Sequence, residues 1–419
     1  MSTKTRRTQE HILDALREPA AYAHPTGRIR TIRTHVSMVF LAGDLAYKVK
    51  RDVRFPFLDL STLERRRLCC EEEVRLNRRL SPELYLGVVA ITVDAAGGIH
   101  VGGAGEIVEY AVKMRRLPED QMMDSLVSAG RLAPDAIARI CERLVPFHAQ
   151  AAATEAIAAF GSPSAIAELW EEHFIESSPL VGDFLDRFQE GLLRATARAW
   201  MVGKRPLLER RHRNGSIRDG HGDLRCSSIC LTEPIQIFDC LEFSPRLRCA
   251  DVASDVAFLA MDLTWRGRRD LADELVGRYS KLAGDAELGR LVPFYGCYRA
   301  CVRAKVSALS ARDAQVTAPE RASCSRSPAS TLARIVRPFS SSSVASPGPG
   351  SRPSRSSWDV PRQLASSRRT GSGRRSMACA RRNGDLRPSR KASTRRTRPD
   401  GPTPRSPSRP RISCGRVVR

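Results

Sequence analysis

From Ala311 to the C-terminus the sequence has neither the two-residue nor the 3.6-residue apolar period, and this feature sets how much of the chain can fold. Residues 311–419 hold 24 Arg and one Lys against five acidic side chains, and Ser, Pro, Ala and Gly make up most of the rest. Such a segment cannot remove enough apolar surface from water to offset its conformational entropy, so a disordered basic tail is expected there. The first 310 residues carry 44 basic and 41 acidic side chains, so the net charge of +23 belongs mainly to the tail and the part that can fold is nearly neutral. An Arg-rich coil attracts polyphosphate through counterion release. With only Phe339 and Trp358 as aromatics, contact of the tail with nucleic acid is expected to be non-specific. An Arg-Ser-Pro-Ala-Gly mixture almost without Lys is also what a G+C-rich gene yields when read out of frame.

Within residues 1–310 the pattern changes once. Residues 28–50 alternate apolar and polar side chains around Ala42-Gly43-Asp44, as in an antiparallel hairpin, and place Lys48 and Lys50 on one face of its second strand. The stretch 61–80 reads as a helix, with Ser61 and Glu64 as a capping box and Leu68, Val74, Leu76 and Leu80 as its apolar stripe. Strand-like runs follow at 85–94 and 106–114. After a hinge at Lys113 to Pro118, helical spacing dominates to about residue 310. The expectation is an α+β chain: a β-rich N-lobe over 1–114 with one prominent helix, a mostly helical C-lobe over 115–310, and the tail. No apolar stretch is long enough to span a bilayer and the start lacks a signal-peptide core, which predicts a soluble cytoplasmic protein without membrane contact. The 12 cysteines lack C-x2-C pairs with matching partners and read as buried free thiols.

One stretch interrupts the helices: 220-GHGDLRCSSICLTEPIQIFDCLEF-243, an H-x-D loop followed by two short β-type runs around Thr232-Glu233-Pro234. Phosphoryl transfer from ATP needs a cation on the phosphates, a carboxylate to hold that cation, a base for the acceptor hydroxyl, and Mg²⁺ held by acidic or amide oxygens. Lys48, in Ala46-Tyr47-Lys48 on a strand, supplies the cation, and Glu73 on the next helix its ion-pair partner. Asp223 in the loop is the candidate base, His221 its brace, and Asp239 the candidate metal ligand. Each residue alone has an ordinary reading, a solvated lysine or a turn aspartate. Their order along the chain is what argues for a site.

HGDLR followed by IFDCLEF and DVASDVAFLAMDL closely resembles the aminoglycoside phosphotransferase-like kinases. THVSMVFLAGDLAYKVK, FLDLSTLERRR and RLNRRLSPELYLGVV resemble the N-terminal half of a bacterial subfamily in which such a kinase is fused to a P-loop ATP-binding domain. The resemblance covers about residues 20 to 310 and implies a two-lobed protein-kinase-like fold that uses ATP and Mg²⁺ to phosphorylate a small-molecule acceptor. It implies Asp223 as base, Asp239 as Mg²⁺ ligand and Lys48 with Glu73 on the phosphates. Glu242 and Asp255 match subfamily positions, and Thr34 to Ser37 lie where a nucleotide-covering loop belongs. Ser228 stands at a metal-ligand position where Asn or His is usual. No G-x-x-x-x-G-K-[ST] occurs, so a separate P-loop ATP-binding partner is implied. Two other readings stay open: a kinase-like nucleotide-binding or regulatory module with weak or no catalysis, and a nucleic-acid-binding protein working through the tail.

Overall fold

The computed structural model describes residues 8–55, 58–182 and 186–317; the expected tail from 318 onward lies outside the described residues. The first unit begins with α1 (Gln9–Ala15) and strands β1 (Arg30–Arg33), β2 (Ser37–Ala42) and β3 (Leu45–Lys50). A two-residue ladder, β4 (Arg54–Phe55) with β5 (Leu58–Asp59), precedes α2 (Leu63–Asn77), and β6 (Tyr85–Val93), β7 (Ile99–Val101) and β8 (Glu106–Arg115) complete a six-stranded antiparallel sheet. Its order is β1-β2-β3-β8-β6-β7.

The β2–β3 turn falls where the alternation places it. Gly43 has φ 60°, and a Cβ there would lie 2.6 Å from the Pro25 carbonyl oxygen, so glycine is required on both counts. Alternation then sends Tyr47 and Val49 into a cluster with Ile12 and Leu13 of α1 and with Leu16 at its C-cap. Lys48 and Lys50 face the other side, where α2 lies.

Two expectations for α2 need correction. Its N-cap is Thr62, whose hydroxyl accepts from the Arg65 N–H at 3.3 Å; Ser61 is drawn away because its hydroxyl donates to Asp59 Oδ1 at 2.6 Å. Leu68, expected in the buried stripe, is 50% exposed. The buried face instead carries Arg66, Cys70, Glu73, Val74, Leu76 and Asn77, a mixture that no apolar periodicity describes. Arg66 is buried against Glu109 of β8, with Nε 2.8 Å from Oε2.

The second unit comprises α3 (Met123–Ser128), α4 (Ala136–Gln150), α5 (Glu155–Ala159), α6 (Pro163–Ser177), α7 (Arg187–Gly203) and α8 (Arg205–Arg213), then β9 (Ile217–Asp219), β10 (Ile229–Cys230), β11 (Gln236–Ile237), α9 (Pro245–Arg248) and β12 (Cys249–Asp251). Helices α10 (Val252–Trp265), α11 (Arg269–Ala283) and α12 (Leu288–Thr317) follow, and α12 carries the helical chain past the expected boundary at 310. Trp170, Phe174, Phe258 and Phe294 anchor the core, each worth roughly 1.5–3 kcal/mol of burial, and Trp200 stacks on Phe294 at 3.9 Å. The α+β class expected from the sequence is the one observed: a curled antiparallel sheet carrying α2, followed by a mostly helical unit. Among the described residues no helix is long and apolar enough to cross a membrane. Eight of the nine cysteines among the described residues are buried, and all nine are free.

Candidate active site

A row of five charges joins the sheet, α2 and the segment after β11. Lys48 and Lys50 sit two apart on β3 and share Glu73, whose Oε1 lies 2.8 Å from Lys48 Nζ and Oε2 2.6 Å from Lys50 Nζ. Asp239 Oδ1 is 2.6 Å from Lys48 Nζ, and Glu242 pairs with Lys50. Lys50 and Glu73 are fully buried. Charges so placed persist only when each is paired. Burial opposes the Lys48 charge, yet Asp239 and Glu73 raise its pKa well above the ordinary value. For Lys50, too, Glu242 and Glu73 outweigh burial and raise the pKa. Burial raises Glu73, and the two ammonium groups pull it below its usual value. Lys48 holds Asp239 well below the carboxylate range, against the opposing effect of desolvation. These four groups therefore stay ionised near neutral pH.

Asp239 has φ 64°, a left-handed conformation that an L side chain adopts at a cost of roughly 1–2 kcal/mol. Three residues of the α2–β6 region hold it there. The Asp239 N–H donates to Tyr85 Oη at 3.2 Å, and the Cys240 N–H to Asn77 Oδ1 at 2.8 Å. The Ser81 hydroxyl donates to the Ile237 carbonyl at 2.9 Å and accepts the Ile237 N–H at 3.0 Å. Asn77, Ser81 and Tyr85 are functional residues that sequence reasoning missed. Their partners lie about 150 to 160 positions away, and the only local signal is a cluster of polar groups at a helix end.

The H-x-D loop leaves β9 and is braced from α10. Asp255 accepts the His221 N–H at 2.6 Å and the Gly222 N–H at 2.9 Å, and its Oδ2 lies 3.3 Å from His148 Nε2. Burial raises the Asp255 pKa, but the His148 contact and these main-chain donors bring it well below the usual range. Gly222 has φ 82°, and a Cβ there would come within 3.0 Å of Leu241 Cβ and 3.1 Å of Arg248 Cα. His221 is buried, which lowers its pKa. Its Nε2 lies 3.0 Å from the Phe238 carbonyl and its Nδ1 accepts the Asp223 N–H at 3.2 Å, which assigns a neutral ring protonated at Nε2. His221 thus ties the Asp223 turn to the strand leading to Asp239.

Asp223 is partly exposed, and Arg225 grips it with two hydrogen bonds, Nε to Oδ1 at 3.0 Å and Nη2 to Oδ2 at 2.8 Å. Arg225 also feels the charge of Asp239, which puts both expected aspartates around one guanidinium. Sequence reasoning overlooked Arg225 because a basic residue two positions after an acid reads as an ordinary surface pair.

Two expected site residues, Ser228 and Ser37, are buried. Ser228 is buried, and its hydroxyl closes the loop's own turn, donating to the Arg225 carbonyl at 2.8 Å and accepting the Arg225 N–H at 2.9 Å; it is not presented as a metal ligand. Ser37 opens β2 opposite Lys50 and is fully buried, and its hydroxyl has no hydrogen-bond partner among the described residues. Asp239, 46% exposed at its side chain, is then the single presented carboxylate of the expected metal pair. No cluster of three or more His, Cys, Asp or Glu suited to a metal occurs among the described residues. This donor set fits Mg²⁺ that arrives on nucleotide phosphates, which takes one or two protein carboxylates, and does not fit a metal held by protein alone.

No family model matches the chain. Uncharacterized proteins of Mycobacterium tuberculosis and Mycobacterium bovis are 38% identical over 280 residues, 65% of this chain and 53% of each relative. The chain thus spans about half the length of the curated relatives it matches. Among solved structures, a choline/ethanolamine kinase family protein from Mesorhizobium loti aligns with 80% of this chain and 95% of its own, at 16% identity and a TM-score of 0.47. A glucosamine kinase in complex with glucosamine, ADP and inorganic phosphate aligns with 74% and 85%, at 18% identity and a TM-score of 0.38. TM-scores this low leave the functional reading to the site itself.

Proposed function

We propose that this chain is an ATP- and Mg²⁺-dependent cytoplasmic phosphotransferase acting on the hydroxyl of a small molecule, with an aminoglycoside phosphotransferase-like, two-lobed kinase arrangement. The observation that carries the reading is Lys48 suspended between Glu73 and Asp239, at 2.8 and 2.6 Å, with the main chain of Asp223 tied by His221 to the strand that leads to Asp239. In this reading Glu73 fixes the Lys48 ammonium, which attracts phosphate oxygens. Asp239 would hold Mg²⁺, whose chemistry is to neutralise charge on the transferring phosphoryl group. Asp223 takes the proton of the acceptor hydroxyl, its carboxylate aimed by Arg225 and its main chain by His221. A P-loop ATP-binding partner belongs to the same proposal, since about half of each curated relative lies outside the match.

The second reading, a nucleotide-binding or regulatory module, draws support from the two hydrogen bonds by which Arg225 occupies both Asp223 oxygens and from the withdrawal of Ser228 from metal binding. Mg-ATP binding and ADP release separate the two. Asp223→Asn is expected to leave Mg-ATP affinity in place and to lower ADP release by about two to four orders of magnitude, the usual range for loss of a general base. Wild type that binds Mg-ATP yet releases no ADP selects the regulatory reading; an Asp223→Asn variant with undiminished turnover removes Asp223 from the mechanism.

A further inference from the structure

Hydrogen bonds divide the ion row more sharply than its charges do. Lys48 donates to Glu73 Oε1 at 2.8 Å and to Asp239 Oδ1 at 2.6 Å, whereas Lys50 donates to Glu242 Oε1. Lys50 Nζ also lies 2.6 Å from Glu73 Oε2, yet among the described residues that oxygen accepts no hydrogen bond. Glu73 thus attracts Lys50 by charge alone and directs its hydrogen bond to Lys48. The two lysines sit on one face of β3, about 7 Å apart along the strand, within reach of the one carboxylate between them. Lys50, Glu73 and Glu242 are all buried, so water is no alternative partner for them. The segment that delivers Glu242 is itself fixed. The Leu241 N–H donates to the His221 carbonyl at 2.9 Å, and the Leu241 carbonyl accepts from Arg248 Nη1 at 2.8 Å. Cys69 Sγ of α2 lies 3.6 Å from the Glu242 oxygen that Lys50 uses. Replacing a buried ion pair by apolar side chains is often neutral for stability, so packing alone does not account for one here.

Resting on the phosphotransferase reading, we propose that Glu242 is a positioning residue for Lys48: it holds Lys50 off Glu73, so that Glu73 directs its hydrogen bond to Lys48 and fixes that ammonium where the phosphates arrive. Without Glu242, Lys50 has Glu73 as its one carboxylate partner among the described residues. The buried carboxylate then turns to Lys50, which has no water to fall back on. Lys48 keeps only Asp239, which is nearly half exposed and which the same reading gives to Mg²⁺. Removing Lys50 as well ends the competition, since Glu73 then has one ammonium to serve. The arrangement therefore makes a specific demand of a second mutation: loss of a buried cation restores what loss of its partner took away.

The test uses the full chain labelled with ¹⁵N-lysine, as wild type, Glu242→Gln and the double variant Lys50→Met/Glu242→Gln. Exchange of the Lys48 ammonium protons with water, read by proton–nitrogen NMR without ligand and assigned through Lys48→Met, reports the hydrogen bond to Glu73. Mg-ATP affinity is measured separately by calorimetry. In Glu242→Gln the Lys48 exchange rate is expected to rise about ten-fold or more, the worth of a hydrogen bond to a charged group, and Mg-ATP affinity to fall by a similar factor. In the double variant both are expected to return to within about three-fold of wild type. A merely structural role predicts the opposite order, with Lys48 of the double variant exchanging at least as fast as in the single one. That order overturns the proposal, as does Lys48 exchange unchanged in Glu242→Gln. Glu242→Met, which removes the same charge at similar volume, serves should the Gln variant not fold. A wild type that binds no Mg-ATP sinks the phosphotransferase reading, and the exchange pattern measured without ligand still decides whether Glu242 positions Lys48.

Discussion

Replacing Glu73 by Gln tests whether the buried ion row holds the site together. The substitution keeps shape and volume but leaves one amide oxygen for two buried ammonium groups that now receive two oxygens at 2.8 and 2.6 Å. At an effective dielectric near 20, each pair is worth roughly 6 kcal/mol of gross attraction. Most of that offsets desolvation, and breaking a buried pair leaves a net loss of about 3–5 kcal/mol. Unfolding entropy of about 2.1 cal/mol/K per residue, over roughly 300 folded residues, converts this to a fall in Tm of about 5–8 °C. Asp239→Asn is the matched control. Its carboxylate is nearly half exposed, so its pair with Lys48 is screened, and Asn is at ease at positive φ. That variant is expected to melt within about 2 °C of wild type while losing Mg-ATP binding. Thermal denaturation with and without Mg-ATP reads both quantities. If Glu73→Gln melts with wild type, or Asp239→Asn falls as far as Glu73→Gln, the assignment of stability to the buried half and ligand binding to the exposed half is wrong.

Ser228→His, which would improve a genuine metal ligand, is expected to lower both Tm and ADP release, because Ser228 is buried and the hydroxyl it removes closes the Asp223 turn; a gain in turnover would refute this. His173 is buried among Trp170, Phe174 and Tyr298, and burial, with Lys305 adding to it, takes its pKa down from 6.5 to about 3. A depressed histidine pKa contributes stability that is complete above 6.5 and is lost as pH falls toward 3, because the unfolded chain then binds the extra proton. The loss reaches about 2 kcal/mol by pH 5, and urea unfolding of His173→Phe at pH 7.5 and 5 should show that part of the slope gone; an unchanged slope would reject the assignment.

How much of this was legible depends on whether a residue's signal is local. The β2–β3 hairpin, the strands near 85–93 and 106–115 and the longer helices α4, α6, α7 and α10 follow from alternation or 3.6-residue spacing, and they stand near where that pattern puts them. Lys48 and Glu73 were found because alternation on a strand places a lysine and a helix of known phase follows. Leu68 and Ser61 misled for one physical reason: α2 buries charges and amides, so its inward face follows ion-pair partners and not hydropathy. Ser228 was placed by its position within a pattern, but whether its hydroxyl is free or spent on its own backbone appears only when the loop closes. Arg225, Asn77, Ser81 and Tyr85 act through partners that the folded chain supplies and no window of sequence contains.

Asn77, Ser81 and Tyr85 also bear on where this gene could be divided. Composition draws its seam near residue 114, between sheet and helices. The residues that bend the chain at Asp239 lie before that seam and Asp239 lies after it. A break there yields one fragment with Lys48 and Lys50 but without Asp239, and another with Asp239 but nothing to set its backbone. Neither fragment alone holds the ion row, so in a lineage that shuffles these units the two must be inherited as one piece.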